Sequence, residues 1–244
     1  MENLIHQAKV DLAASLRLAA RFGFNEGVCN HFSFAVPGMS DRYLLNPHGV
    51  HWSQMTPDDI LLIDGEGRTV EGRSQAELTA FTIHGAIHRA NPRAHAVLHT
   101  HMPYATALCC VEETELEPIS QNALRFWNDV AYDWDYNGLA EDAAEGARMA
   151  ACLGDKKVLF LGNHGVIVVG ESIARAFDDL YYLERACELQ VLALSTGKPL
   201  RRIGDNVAGK AKADIDGGPT ATYAAKHFDG LKAVLDAEAP GWRG

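Results

Sequence analysis

The segment Val97-Leu98-His99-Thr100-His101 constrains this chain more than any other. It reads as an apolar strand that ends in two histidines one residue apart. Side chains alternate faces along a strand, so His99 and His101 point the same way, roughly 7 Å apart along the backbone. Both imidazoles can then reach one divalent metal at about 2.1 Å, and Ala94 to Leu98 supplies the rigid, buried base that such a site needs. Taken alone, a His-x-His pair is equally a pair of imidazoles at a solvent edge. A third histidine repeats the setting. In Lys157-Val-Leu-Phe-Leu-Gly-Asn-His-Gly165 the apolar run Val158 to Leu161 stops in a short polar turn that carries His164. Gly162 and Gly165 permit backbone angles or close approach that a bulky residue forbids. Three neutral imidazoles with an open position suit zinc, manganese, iron or cobalt, provided the two strands converge.

With 244 residues, 47% of them hydrophobic, the chain can bury a substantial core in one α/β domain. A formal charge of −10 with no basic patch argues against nucleic acid. No apolar run approaches the ~20 residues needed to span a membrane. The start, Met1-Glu-Asn-Leu-Ile-His, lacks the basic and apolar regions of a secretory signal. Cys29, Cys109, Cys110, Cys152 and Cys187 show no CxxC spacing and read as buried thiols of a reducing compartment, which points to the cytoplasm.

Periodicity predicts a helix over 3–22, a strand from Cys29 to Val36, and a short strand Tyr43-Leu44-Leu45 running into the turn Asn46-Pro-His-Gly49. A strand over Ile60–Ile63 turns at Asp64-Gly65 into Arg68-Thr69-Val70. Helices follow over Gln75–Ala90, Tyr104–Val111 and Glu141–Leu153, with a strand over Val130–Trp134. Val166–Val169 resumes a strand beyond the His164 kink, and Ser172 caps a long helix reaching about Thr196. Glu184, Arg185 and Glu188 on that helix read as a solvated or subunit-facing edge. Beyond Lys198-Pro199 the chain turns polar and Gly/Ala-rich, as expected of a poorly packed tail wrapping the body or a neighbour. The division expected is therefore a main domain over 1–200 and a C-terminal tail over 201–244.

Asn30-His-Phe-Ser33, Asn46-Pro-His-Gly49, His99-Thr-His101 and Asn163-His-Gly165 occur in an order that resembles the class II aldolase/adducin family, over about residues 5 to 200. Ile119-Ser-Gln-Asn-Ala-Leu-Arg-Phe126 and Tyr182-Leu-Glu-Arg-Ala-Cys187 look most like its adducin-like bacterial branch. The resemblance implies a single α/β/α domain around a mainly antiparallel central sheet. It also implies a cyclic homotetramer with active sites between subunits. His99, His101 and His164 would hold a catalytic divalent metal, zinc foremost with Mn2+, Fe2+ or Co2+ also suited, that stabilises an enolate.

Two departures from the family pattern matter. Phosphate-binding members place Gly-Asn-x-Ser-x-Arg after the first helix. Here Asn30 to Ala35 keeps the serine but lacks the glycine and the arginine, and Leu78 and Thr79 stand where those members carry a Ser-Ser pair. The substrate expected is therefore not phosphorylated. The family's acid aligns with Ala80, leaving Glu77 as the nearest carboxylate. Positions three apart share a helix face, so Glu77 is the candidate acid/base, although an acidic residue near a helix start is also favoured by the dipole alone. His31 and Tyr104 are the alternative proton-transfer groups. Asn30, His48, Gly49, Gln121 and Arg125 are the candidate substrate contacts, Arg125 being equally suited to an intersubunit ion pair. His51 reads as a loop residue and His84 as a hydrogen-bonded core histidine. The function expected is a metal-dependent carbon–carbon lyase on a small hydroxy- or oxo-acid. The alternatives are an epimerase using the same retro-aldol chemistry, or a non-catalytic adducin-like interaction module.

Overall fold

The computed structural model of the chain describes residues 2–39, 41–138, 142–218 and 222–244. The strands are β1 (His31–Ala35), β2 (Arg42–Leu45), β3 (Leu61–Asp64), β4 (Thr69–Glu71), β5 (Ala96–Thr100), β6 (Val130–Asp133), β7 (Val158–Leu161) and β8 (Gly165–Gly170). They form one eight-stranded sheet in the order β4-β3-β2-β1-β5-β8-β7-β6. Every pairing is antiparallel except β6 with β7. The helices are α1 (Glu2–Phe22), α2 (Leu78–Ala90), α3 (Pro103–Cys109), α4 (Ala143–Leu153), α5 (Ile173–Leu194), α6 (Asp205–Gly217) and α7 (Tyr223–Glu238).

The two faces of the sheet read directly from strand alternation. Phe32 and Phe34 of β1, Ala96 and Leu98 of β5, and Val166 and Val168 of β8 pack into a core with Leu12 and Leu16 of α1, Phe177 and Leu180 of α5 and Phe228 of α7. On the opposite face Val97, Ile167 and Val169 meet Ile83 and Ile87 of α2 and Met149 and Leu153 of α4. The result is an α/β/α sandwich whose central strands are buried on both sides. Leu12 and Leu16 are fully buried, so truncating either to alanine costs about 2–5 kcal/mol.

Most predicted boundaries hold to within about two residues, but α2 begins at Leu78 rather than Gln75, which makes Glu77 its N-cap residue. The predicted start of α4 at Glu141 lies outside the described residues, and Asp142 caps that helix by accepting from the Glu145 N–H at 2.8 Å. The larger difference lies beyond residue 200, where two helices replace the expected poorly packed tail. Only Ala208 of α6 is buried, and α7 buries Ala224, Phe228 and Leu235. So sparse an apolar stripe is lost in a polar sequence, and much of the attachment is ionic. Lys232 pairs with Asp11 of α1 at 2.9 Å, Arg21 pairs with Glu238 at 2.8 Å, and Lys212 reaches Asp129 at 3.2 Å.

Glu184 corrects a second expectation. It is not on a solvated edge but is buried, and its carboxylate accepts from the N–H groups of Tyr104 and Ala105 at 2.8 and 2.9 Å. These are orphan donors at the start of α3, which a buried helix end must satisfy from elsewhere. Burial pushes the Glu184 carboxyl above its ordinary range, and the two N–H donors oppose that shift.

Candidate active site

Three imidazoles converge where β5 ends beside the β7–β8 turn. The ring centroids of His99 and His101 lie 5.0 Å apart, and His164 is 4.9 Å from each. One nitrogen from each ring lies within 4.8 Å of those of the other two. The convergence depends on a tight turn. A Cβ on Gly165 would sit 2.6 Å from the Thr100 carbonyl and 2.7 Å from Cδ2 of His101, and one on Gly162 would sit 2.7 Å from the Trp134 carbonyl. Asn163 between them takes a left-handed φ of 55°, a conformation asparagine tolerates better than most residues. Glycine thus lets β8 press against the end of β5, and His164 arrives over the His-x-His pair.

Hydrogen bonds fix which nitrogens face inward. Nδ1 of His99 lies 3.0 Å from the Val166 carbonyl, and Nδ1 of His101 is bonded to the Glu26 carboxylate. Neither oxygen can donate, so both rings carry their proton on Nδ1 and turn the Nε2 lone pair toward the cluster. Nε2 of His101 is buried and has no hydrogen-bond partner among the described residues. Burial, followed by the neighbouring imidazoles, holds His99 well below the usual histidine range, and burial together with His101 brings His164 down to about 4. Imidazole rings with oriented lone pairs and carboxylate or carbonyl support are the donor set of a divalent transition-metal site. The residues present therefore fit such an ion.

His31 stands directly across the β1–β5 ladder from His99, so both side chains share the α2 face. Its Nε2 lies 2.7 Å from Oε2 of Glu77, and Nδ1 of the exposed His48 is 3.3 Å from the same oxygen. Glu77 thus reaches the site as an N-cap residue, not from within the helix. Ala80, where the family's acid aligns, is fully buried with Tyr43, Leu45, Leu61 and Ile63. The side chains of Leu78 and Thr79 lie outside the described residues. Asn46 joins the first two motifs: its Oδ1 accepts from the Phe32 N–H at 2.7 Å, and its Nδ2 donates to the Asn30 carbonyl at 3.4 Å. Asn30 takes a φ of 74°, and its side-chain oxygen is buried with no partner among the described residues. Gly49 follows His48 in the adjoining turn with a φ of 86°.

The remaining predicted residues fall elsewhere. Tyr104 is half-buried at the start of α3 and packs against the core of the α1/α5 face. No described contact joins its hydroxyl to the histidines. Gln121 and Arg125 line a different pocket of about 280 Å³, with Asp178, Tyr182, Tyr223 and His227. Arg125 is bonded there to the buried Asp178 of its own chain and lies 4.1 Å above the Tyr182 ring. Within the chain, the carboxylate that neutralises Arg125 comes from α5. His51 caps a one-turn 3₁₀ helix through Ser53. Two site residues carry no sequence signal. Glu26 sits in an ordinary-looking Asn-Glu-Gly turn, and Tyr136 places its exposed ring 6.3 Å from His164.

Residues 10–191 match the family model for the class II aldolase and adducin N-terminal domain. An aldolase II superfamily protein from Pseudomonas syringae superposes with a TM-score of 0.90 at 33% identity, covering 99% of this chain and 96% of its own. The L-fuculose 1-phosphate aldolase of Glaciozyma antarctica gives a TM-score of 0.85 at 28% identity over 98% and 92% of the two chains. The decarboxylase NovR of Streptomyces niveus is 36% identical over 189 residues, 77% of this chain and 70% of its own. The family model spans well over half of the chain, and the chain belongs to the class II aldolase/adducin family.

Proposed function

We propose that the protein is a metal-dependent carbon–carbon lyase, an aldolase or decarboxylase, acting on a small non-phosphorylated hydroxy- or oxo-acid. The observation that carries this reading is the set of three inward-facing imidazole nitrogens beside the His31–Glu77 pair. His99, His101 and His164 would hold the ion. A divalent cation bound there supplies Lewis acidity for the negative charge left when a bond to the α-carbon breaks.

The chain's own residues then divide the remaining work. Glu77, hydrogen-bonded by His31 and faced by His48, accepts and returns the proton. Asn30, His48 and Gly49 line the approach and orient the acid. Ser33 supports the choice of a non-phosphorylated substrate. The serine of the family's phosphate motif is buried here, and its hydroxyl lies 2.7 Å from both His84 and His88. It has no capacity left for a phosphate. The names of NovR and the fuculose 1-phosphate aldolase support bond cleavage next to a carbonyl as the class of reaction.

The reading includes a homotetramer with sites between subunits, working in the cytoplasm. It also treats residues 201–244 as an addition to the 1–200 domain. The test is a screen of zinc- and manganese-loaded protein on hydroxy-keto acids and aromatic hydroxy-dicarboxylates. Fragment or CO2 release that disappears in His99→Ala supports the reading. Recovery of an epimer without fragments would replace it with the epimerase. Less than about 0.2 metal per subunit, with no gain on adding either ion, would replace it with the interaction module.

A further inference from the structure

A second group of histidines lies one layer behind the first. His84 and His88 of α2 both bond to Ser33 of β1, and Nδ1 of His88 lies 2.5 Å from the Ala94 carbonyl. The direction of each bond follows from its neighbour. A carbonyl only accepts, so Nδ1 of His88 carries a proton. Burial brings His88 down to about 4, so near neutral pH the ring is uncharged and its Nε2 is a lone pair. Ser33 must then donate its one proton to His88, which leaves its oxygen to accept from Nδ1–H of His84. His84 is also held neutral by burial, well below its ordinary range. With its proton fixed on Nδ1, Nε2 is a bare acceptor. That atom is buried and has no partner among the described residues.

The position of this atom gives it a use. His31 and Ser33 point to the same face of β1, and the rings of His31 and His84 meet edge to face at 6.0 Å. His84 therefore borders the Glu77–His31 pair, and a buried acceptor without a donor costs free energy unless something supplies one. Tyr43 stacks on His88 at 4.9 Å and fixes the far end of the chain. We infer that Ala94, His88, Ser33 and His84 form a tautomer relay that presents Nε2 of His84 to the active site as the acceptor for an O–H donor, a substrate hydroxyl or an ordered water. Its use by a substrate rests on the lyase reading, whereas the relay itself does not.

Nitrogen NMR of the full-length, zinc-loaded protein labelled at histidine reads the tautomer directly. The expected result near pH 7.5 is a pyrrole-type resonance at Nδ1 of His84 and a pyridine-type resonance at Nε2. A proton on Nε2, or on both nitrogens, overturns the relay. In Ser33→Ala the Nδ1–H form should give way to the Nε2–H form, and an unchanged spectrum overturns the role of Ser33. Glycolate serves as the hydroxyl probe. A shift of the Nε2 resonance toward the hydrogen-bonded position on its addition identifies a substrate-type donor. A resonance already shifted, and insensitive to glycolate, identifies water. An unshifted Nε2 in both states overturns the acceptor role. On an active substrate, His84→Asn keeps a donor to Ser33 but loses Nε2. It should lower kcat/KM roughly tenfold to hundredfold at unchanged metal content, with partial recovery in His84→Gln. Absence of turnover in the parent protein ends the functional reading and leaves the tautomer result standing.

Discussion

Two largely buried polar clusters of this molecule invite comparison. At the end of β5, His99, His101 and His164 each bring one ring nitrogen within 4.8 Å of the other two, and Nε2 of His101 has no partner among the described residues. Between α5 and α7, Asp178 is bonded by Arg125 on one side and by Nδ1 of His227 at 2.8 Å on the other, with Tyr182 covering the guanidinium. The first cluster is a set of imidazole nitrogens close enough together to hold one cation. In the second, the charges neutralise one another within the chain. Burial of polar groups alone would rank the two equally as functional sites. What separates them is charge: Nε of Arg125 also lacks a partner among the described residues, but the opposite charges of the second cluster hold its elements together, whereas the first gathers three imidazole nitrogens of the kind that ligate a metal.

The comparison breaks first, if it breaks, at the histidines. His99→Ala should remove the metal and reduce turnover by roughly a thousandfold or more, given the several kcal/mol of charge stabilisation at stake. Metal content per subunit and steady-state rates check this. Glu77→Gln should lower kcat about 10²–10⁴-fold while metal content stays the same, because proton transfer is lost and the ligands are kept. A parallel loss of metal would instead make Glu77 a ligand. Asp178→Ala, in the ion-paired cluster, should destabilise the fold by about 3–5 kcal/mol through the stranded Arg125, with metal content unchanged. Denaturant melts measure it. Glu26→Gln should weaken metal affinity about tenfold to hundredfold, as read by competition with a chelator.

The smallest effect is one of pH. Burial raises the Asp178 carboxyl, but the hydrogen bond from His227 and the charge of Arg125 outweigh it and hold the group below the usual carboxylate range. A depressed carboxyl stabilises the fold above its unfolded pKa of about 3.9, and the contribution disappears as pH falls through the lower, folded value. Wild type should therefore lose more stability below about pH 4 than Asp178→Asn does. Equal acid sensitivity in the two would show that Asp178 is not the responsible group.

The sandwich was legible because its strands are short apolar runs and its helices carry a 3.6-residue period. The histidine triad was legible because both segments pair an apolar strand with a polar stop. Legibility failed where the information lies between elements. Nothing local in Asn25-Glu26-Gly27 marks Glu26 as the partner of a histidine that lies 75 residues further along the chain. Glu184 looks like any charged residue on a long helix until α3 presents its bare N–H groups. Arg125 has the chemistry to hold a carboxylate, and it does so, but the carboxylate belongs to α5. The C-terminal helices bury too few apolar side chains to show a period, so their attachment through Lys232, Arg21 and Phe228 was not visible.

The register of His31 opposite His99 has a consequence for folding. The candidate ligands and their proton partner are distributed over β1, β5 and the β7–β8 turn, which meet only in the middle of the sheet. An unfolded or half-assembled chain offers no such triangle, so an ion that binds here binds the native state alone. Its affinity is then also a contribution to global stability, about 2.7 kcal/mol at a free concentration one hundred times its dissociation constant. Chelation should consequently lower the melting temperature of the whole sandwich, and protection against heat becomes a measure of the site that requires no substrate.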